Sequence, residues 1–196
     1  MSEVALPDAW RGRALVLRAH ELDLRAFSNE ELATAGAFRL PKRRDEFLLS
    51  RYAAKQLALA RGLAHDARAC AVARPRLVID GHASLFVSLS HSAPYAAAAI
   101  GNEPVGIDVQ VVRPMKETAA HLFLTDDETA AMNRCTIADR ALHFWCAKEA
   151  AWKQRLGTVD TLKQLPLTLI EERGDGLLFD LAETRAIGDA IIALTR

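Results

Sequence analysis

The chain has no excess charge of either sign: 25 Lys and Arg balance 25 Asp and Glu across 196 residues. A general nucleic-acid binder would show its basic stripe in that total, so this class is excluded, although Lys42-Arg43-Arg44 forms a local basic run. No apolar stretch approaches the length of a membrane span. The opening Met-Ser-Glu-Val-Ala-Leu-Pro-Asp lacks a charged segment followed by an apolar run, so no secretion signal is expected. Cysteine is scarce, and Cys70, Cys135 and Cys146 follow neither a metal-ligand spacing nor a disulfide framework. A reducing, cytoplasmic setting is expected. A Gly-x-Ser-x-Gly elbow, a low-complexity segment and a long linker are also missing, and the first absence speaks against a serine hydrolase.

What is present suits a folded α+β protein. Residues are 51% hydrophobic and 26% charged, enough apolar material for a real core in one domain or two small ones. Residues 141–156 contain no Pro or Gly and are rich in helix formers, which predicts a helix. At about 100° per residue, Leu142, Trp145, Cys146, Trp152 and Leu156 gather on one side. His143, Ala147, Lys148, Gln154 and Arg155 fall on the other. Glu149 and Lys153 lie one turn apart within the apolar side. A carboxylate and an ammonium there need partners, and a metal ion and a phosphate are the usual ones.

Taken in order, Arg13 to Ala19 reads as a first strand, and Ser28 to Glu31 as a capping box opening a short helix. A longer helix is expected from Lys42 or Arg43 to Arg61, closed by Gly62. Its basic start, with Arg44, Arg51 and Lys55, is either solvated or an anion site. Residues 74–79 lead through an Asp80-Gly81 hairpin turn into a strand at 85–89, and another strand follows at 95–100. The turn between them is expected at Ser92-Ala93-Pro94. In Ser88-Leu89-Ser90-His91-Ser92, leading into it, two hydroxyls, an imidazole and a turn backbone can all donate to one anion. In the strand at 104–111, Gly106, Asp108 and Gln110 share a small polar face, while Val105, Ile107, Val109 and Val111 share the other.

Residues 117–133 are expected to be helical in two pieces, the second opened by a structural capping box at Thr125 to Glu128. A hairpin follows, from 165–170 across Glu171–Asp175 to 176–181, and then a final strand at 189–195. Both halves thus offer a strand, helices and a hairpin, and Tyr52-Ala-Ala-Lys-Gln aligns with Trp145-Cys-Ala-Lys-Glu. The fold class expected is α+β, as two pseudo-symmetric α/β halves, 1–102 and 103–196, with a ligand site at their interface.

Three segments together resemble the 4′-phosphopantetheinyl transferases. They are Ser88-Leu-Ser-His-Ser92, Val105-Gly-Ile-Asp-Val109 and Phe144-Trp-Cys-Ala-Lys-Glu-Ala-Ala-Trp-Lys153. Length and doubled architecture are similar to the monomeric Sfp-type branch. The resemblance implies a two-half fold with coenzyme A and Mg²⁺ between the halves. It also implies transfer of phosphopantetheine to a serine of an apo acyl or peptidyl carrier protein, releasing adenosine 3′,5′-bisphosphate. Such carriers serve fatty-acid, polyketide and nonribosomal peptide biosynthesis.

By the same resemblance, Asp108 and Glu149 would hold the metal, Glu149 would deprotonate the serine, and Lys153 would hold the phosphate under attack. Ser90, His91, Arg44, Arg51 and Arg74 would join Lys153 in contacting coenzyme A. Apart from the resemblance, the loops at 111–125 are the surface expected to meet the carrier. Mn²⁺ suits the same oxygen ligands. The chain departs from the Sfp-type pattern in two places. Gln110 stands where many members carry Glu, so it would reach the metal only through a water, with one negative charge lost. Ala73-Arg74-Pro75 stands for the familiar Gly-Lys-Pro. The alternative implied is a coenzyme A-binding protein that has lost transfer.

Overall fold

The computed structural model describes residues 2–18, 22–115 and 117–196. It divides into two units, Met1–Pro104 and Val105–Arg196. The first contains β1 (Ser2–Glu3), β2 (Ala14–Arg18), α1 (Asn29–Gly36), α2 (Pro41–Ala60), β3 (Cys70–Ala73), β4 (Arg76–Ile79), β5 (His82–Ser92) and β6 (Tyr95–Gly101). The second contains β7 (Ile107–Val111), α3 (Asp126–Arg134), α4 (Arg140–Gln154), β8 (Leu169–Arg173), β9 (Gly176–Phe179), β10 (Ala182–Ile187) and β11 (Ala190–Thr195). Each unit builds one antiparallel sheet, in the orders β1-β2-β6-β5-β4-β3 and β7-β11-β10-β9-β8. With β1 set aside, element order and sheet order are the same in both. The expected α+β class is therefore the fold, and the likeness of the units is consistent with duplicated halves.

Local signals account for most element starts. The Ser28 hydroxyl accepts from the Glu31 amide at 3.2 Å, and the Glu31 carboxylate accepts from the Ser28 amide at 3.0 Å. Thr125 and Glu128 form the same reciprocal cap at 3.3 and 2.7 Å. Pro41 opens α2 at a position where its missing N–H is not needed. Asp80 and Gly81 both hold positive φ, 49° and 81°, as a two-residue hairpin turn between β4 and β5 requires. In the first unit, Ala53, Ala54 and Ala58 of α2 cluster with Leu15, Leu17, Leu89, Ala96 and Ala98 of the sheet. Small side chains on both sides let helix and sheet pack closely.

Several expectations need correction. Ala19, the last residue of the strand expected at 13–19, lies outside the described residues, and that expectation is not among them. Strand β5 runs past the expected end at Leu89 to Ser92, so Ser90 and His91 are strand residues, paired with β6 from Ser88↔Ala99 to Ser92↔Tyr95, and the turn is Ala93-Pro94. Arg74 and Pro75 lie in the turn between β3 and β4, not in a strand. Residues 182–187 form a strand the sequence reading missed, because Ala-Glu-Thr-Arg-Ala-Ile carries a weak apolar signal. The largest correction concerns α4. His143, Ala147 and Lys148, assigned to its polar side, are 1%, 0% and 0% exposed. The helix is covered on two sides, by β7, β9, β10 and β11 on one and by α3 and the 162–164 turn on the other.

One buried lysine recurs at the same place in each unit. Lys55 of α2 pairs with Glu31 at 3.0 Å and donates to the Ala67 and Cys70 carbonyls. Lys148 of α4 pairs with Glu128 at 2.8 Å and donates to the Leu162 and Leu165 carbonyls at 3.0 and 2.9 Å. In both, the acid closes a capping box three residues after the cap, and the two carbonyls stand three residues apart. Each lysine thus ties the long helix to the short one before it and to the connection after it. A buried ammonium is tolerated only when so fully partnered.

His143 makes a different buried contact, with Nδ1 2.8 Å from the Thr184 hydroxyl. Burial lowers its pKa to about 4, only partly opposed by Asp175 and Glu172. The folded protein therefore keeps the imidazole neutral, while the unfolded chain takes up a proton below an ordinary histidine pKa of about 6.5. Stability from this group is complete above that pH and declines as pH falls towards 4. At about 1.4 kcal/mol per unit, the loss reaches roughly 3 kcal/mol. Urea unfolding at several pH values is expected to show His143→Gln losing less stability than the parent across that window. Parallel slopes would refute this.

Candidate functional site

The site of the second unit begins with a glycine. A Cβ on Gly106 would fall 1.8 Å from the Ala150 carbonyl oxygen, so only glycine lets the end of α4 lie against the start of β7. The Gly106 amide donates to the Thr195 hydroxyl at 2.9 Å, which fixes this backbone to β11. Alternation along β7 then turns Asp108 and Gln110 towards the same helix. From the last turn of α4, the Lys153 ammonium donates to the Ile107 carbonyl at 3.0 Å and to Asp108 Oδ1 at 2.7 Å.

Asp108 is 1% exposed. Its other oxygen, Oδ2, accepts from the Gln110 amide at 3.2 Å. Cys146, three residues before Glu149 on α4, lies behind it, with its thiol 3.7 Å from the Ile191 carbonyl of β11. Burial, then the charge of Asp108, pushes the Cys146 thiol well up, so it stays protonated and inert. Glu149 is half-buried. Burial raises its pKa first, the charge of Asp108 adds to that, and Lys153 opposes both. The arrangement is a two-carboxylate site with one ammonium at its edge, and Glu149 holds a proton more tightly than a free carboxyl would.

These residues fit a hard divalent cation. Mg²⁺ binds one or two carboxylates and completes its shell with phosphate oxygens and water. Two neighbouring acids, one of them destabilised as an anion, are the donor set for that. Among the described residues no three His, Cys, Asp or Glu converge as a fuller ligand set. Gln110 stands beside Asp108 but turns its NH₂ group towards it.

Apart from Lys153, the residues assigned to coenzyme A belong to the first unit. Ser90 and His91 are successive residues of β5 and so face opposite sides of the sheet. Ser90 is 6% exposed. His91 Nδ1 stands 3.8 Å from Glu46 on α2, and the same acid faces Lys42 at 3.8 Å and Arg43 at 3.4 Å. Arg44 is exposed, with Nε 3.3 Å from Asp45. Arg51 is half-buried, lies 3.5 Å over the Phe47 ring and donates to the Phe47 carbonyl. Its pKa falls to about 10, through burial first and then the like charge of Arg74. Two guanidiniums held near each other are a natural place for an anion.

Sequence reasoning missed Cys146 and Glu46. Cys146 was counted as apolar surface, although its spacing of three from Glu149 puts it on the same face. Glu46 carried no motif at all.

Residues 104–180, less than half of the chain, match the family model of the 4′-phosphopantetheinyl transferase superfamily. The matched stretch contains Asp108, Gln110, Glu149 and Lys153. No curated protein matches the chain. Among the described residues, no helix is long and apolar enough to cross a membrane.

Proposed function

We propose that the protein transfers the 4′-phosphopantetheine group of coenzyme A to a serine of an apo acyl or peptidyl carrier protein. The observation that carries this reading is the meeting of Asp108, Glu149 and Lys153 on β7 and α4, within the segment matched by the superfamily model. Asp108 and Glu149 are the proposed holders of Mg²⁺, with Mn²⁺ able to replace it and Gln110 acting at most through a water. The ion, when bound, neutralises charge on the pyrophosphate. Phosphoryl transfer asks mainly for positioning and charge neutralisation, and this site supplies both.

In the step proposed, the carrier serine Oγ attacks the phosphorus that bears pantetheine. Its bond to adenosine 3′,5′-bisphosphate breaks, and the bisphosphate leaves with the electron pair. Glu149 accepts the serine proton, directly or through a water. Lys153 holds the phosphate under attack. Ser90, His91, Arg44, Arg51 and Arg74 are the proposed contacts to coenzyme A. The carrier is proposed to meet residues 111–125, where Leu122 is 70% exposed; Lys116 lies outside the described residues. A monomer in the cytoplasm is the proposed working form.

The test is to incubate an apo-carrier panel with the protein, coenzyme A and Mg²⁺ and weigh each carrier by mass spectrometry. A mass gain by one phosphopantetheine supports the reading. Tight coenzyme A binding with no gain on any carrier would favour the alternative, a binding protein without transfer, with Gln110 as its cause. His91→Ala is expected to raise KM for coenzyme A about tenfold with kcat little changed, the loss of one bond to a charged group. An unchanged KM would remove His91 from the binding site.

A further inference from the structure

Lys153 has two proposed duties that cannot be met in one position. The reading above gives it the phosphate, yet its ammonium sits 2.7 Å from Asp108 Oδ1, against the carboxylate assigned to the metal. A second donor position is fixed on the Ile107 carbonyl at 3.0 Å. The Asp108 side chain is 2% exposed and that of Lys153 21%, so the acid is fixed inside while the amine ends near the surface on a flexible stem. Gln110 closes on the other oxygen at 3.2 Å. A carboxylate buried so deeply requires a partner at all times. A second cation brought to the same oxygen repels the first.

We propose that Lys153 is a built-in counter-ion, which occupies the cation position on Asp108 until a divalent metal takes its place and then turns to the phosphate of the substrate. Metal and ammonium compete for Asp108 while the substrate is absent. Once coenzyme A is present, its phosphate receives the released ammonium, and the competition becomes cooperation. By linkage the effect is reciprocal: coenzyme A tightens the metal by the same factor as the metal tightens coenzyme A. The device would keep the acid pair neutralised between turnovers. It would also disfavour metal binding without substrate. This inference rests on the metal assignment made above.

The test is direct Mn²⁺ binding to the full chain, read from the electron paramagnetic resonance of free Mn²⁺ with and without coenzyme A. Without coenzyme A, Lys153→Met is expected to bind Mn²⁺ on the order of fivefold or more tighter than the parent. With coenzyme A the order reverses, and the parent binds more tightly. Lys153→Arg keeps a cation on Asp108 and is expected to stay within about twofold of the parent without coenzyme A; it also serves if the Met variant does not fold. Equal or weaker Mn²⁺ binding by a folded Met variant overturns the counter-ion, as does tightening by Arg comparable with that of Met. If no protein binds Mn²⁺ under either condition, the metal assignment itself falls.

Discussion

Glu149→Ala is expected to lose at least about a thousandfold in transfer and to keep its fold. The loss combines two roles proposed for one carboxylate: a ligand to the cation and the acceptor of the serine proton. The fold should survive because Glu149 is a burden on the unliganded protein. Burial and the neighbouring Asp108 both raise its pKa, so ionising it there is costly. Alanine is also a better helix former than glutamate at this mid-helix position. Thermal melting should therefore show a midpoint equal to or above that of the parent. The decisive measurement is the rate of carrier mass gain for parent and variant at saturating coenzyme A. A variant retaining a tenth of the parental rate would show that the acid proposed as central is dispensable.

Lys148→Met acts on stability instead, and its effect should be of the same rank. The substitution keeps the stem in its apolar surroundings but removes the charge paired with Glu128 at 2.8 Å. Glu128 is 3% exposed, and its oxygens also accept from the Thr125 and Leu167 amides. It cannot turn away without uncapping α3. The Leu162 and Leu165 carbonyls lose their donor as well. Breaking a buried pair from one side costs about 3–5 kcal/mol. Against a typical total of about 5–15 kcal/mol, that brings the second unit close to unfolding at ordinary temperature.

The double variant Lys148→Met with Glu128→Gln should recover much of this loss, because glutamine keeps a carbonyl oxygen for the cap and carries no charge. Urea unfolding of the two variants and the parent separates the terms. A single variant within about 1 kcal/mol of the parent would mean that the pair contributes little. Lys55→Met should behave similarly in the first unit, where Lys55 holds Glu31 in the same way.

How much of this was legible beforehand varies with the range of the interaction. The two capping boxes were readable because each is closed within four residues. Alternation from 105 to 111 separated Asp108 and Gln110 from their apolar neighbours, and the structure turns them towards α4. The inward direction of Glu149 and Lys153 followed from helical period alone. Lys148 and His143 did not, since a wheel has one apolar side and α4 is covered on two. The alignment of Lys55 with Lys148 was visible in the letters, but its meaning required their carbonyl and carboxylate partners.

The sequence by itself determined where the helices start, which strand residues share a face, and which acid and amine stand one turn apart on α4. Those are matters of local period and local hydrogen bonding, and they need no knowledge of what lies opposite. Only the tertiary structure decided that Lys153 reaches across to Asp108 and that two further lysines are sealed inside with their own acids. Such pairings join residues twenty or more positions apart, and no periodicity in a single segment carries that information.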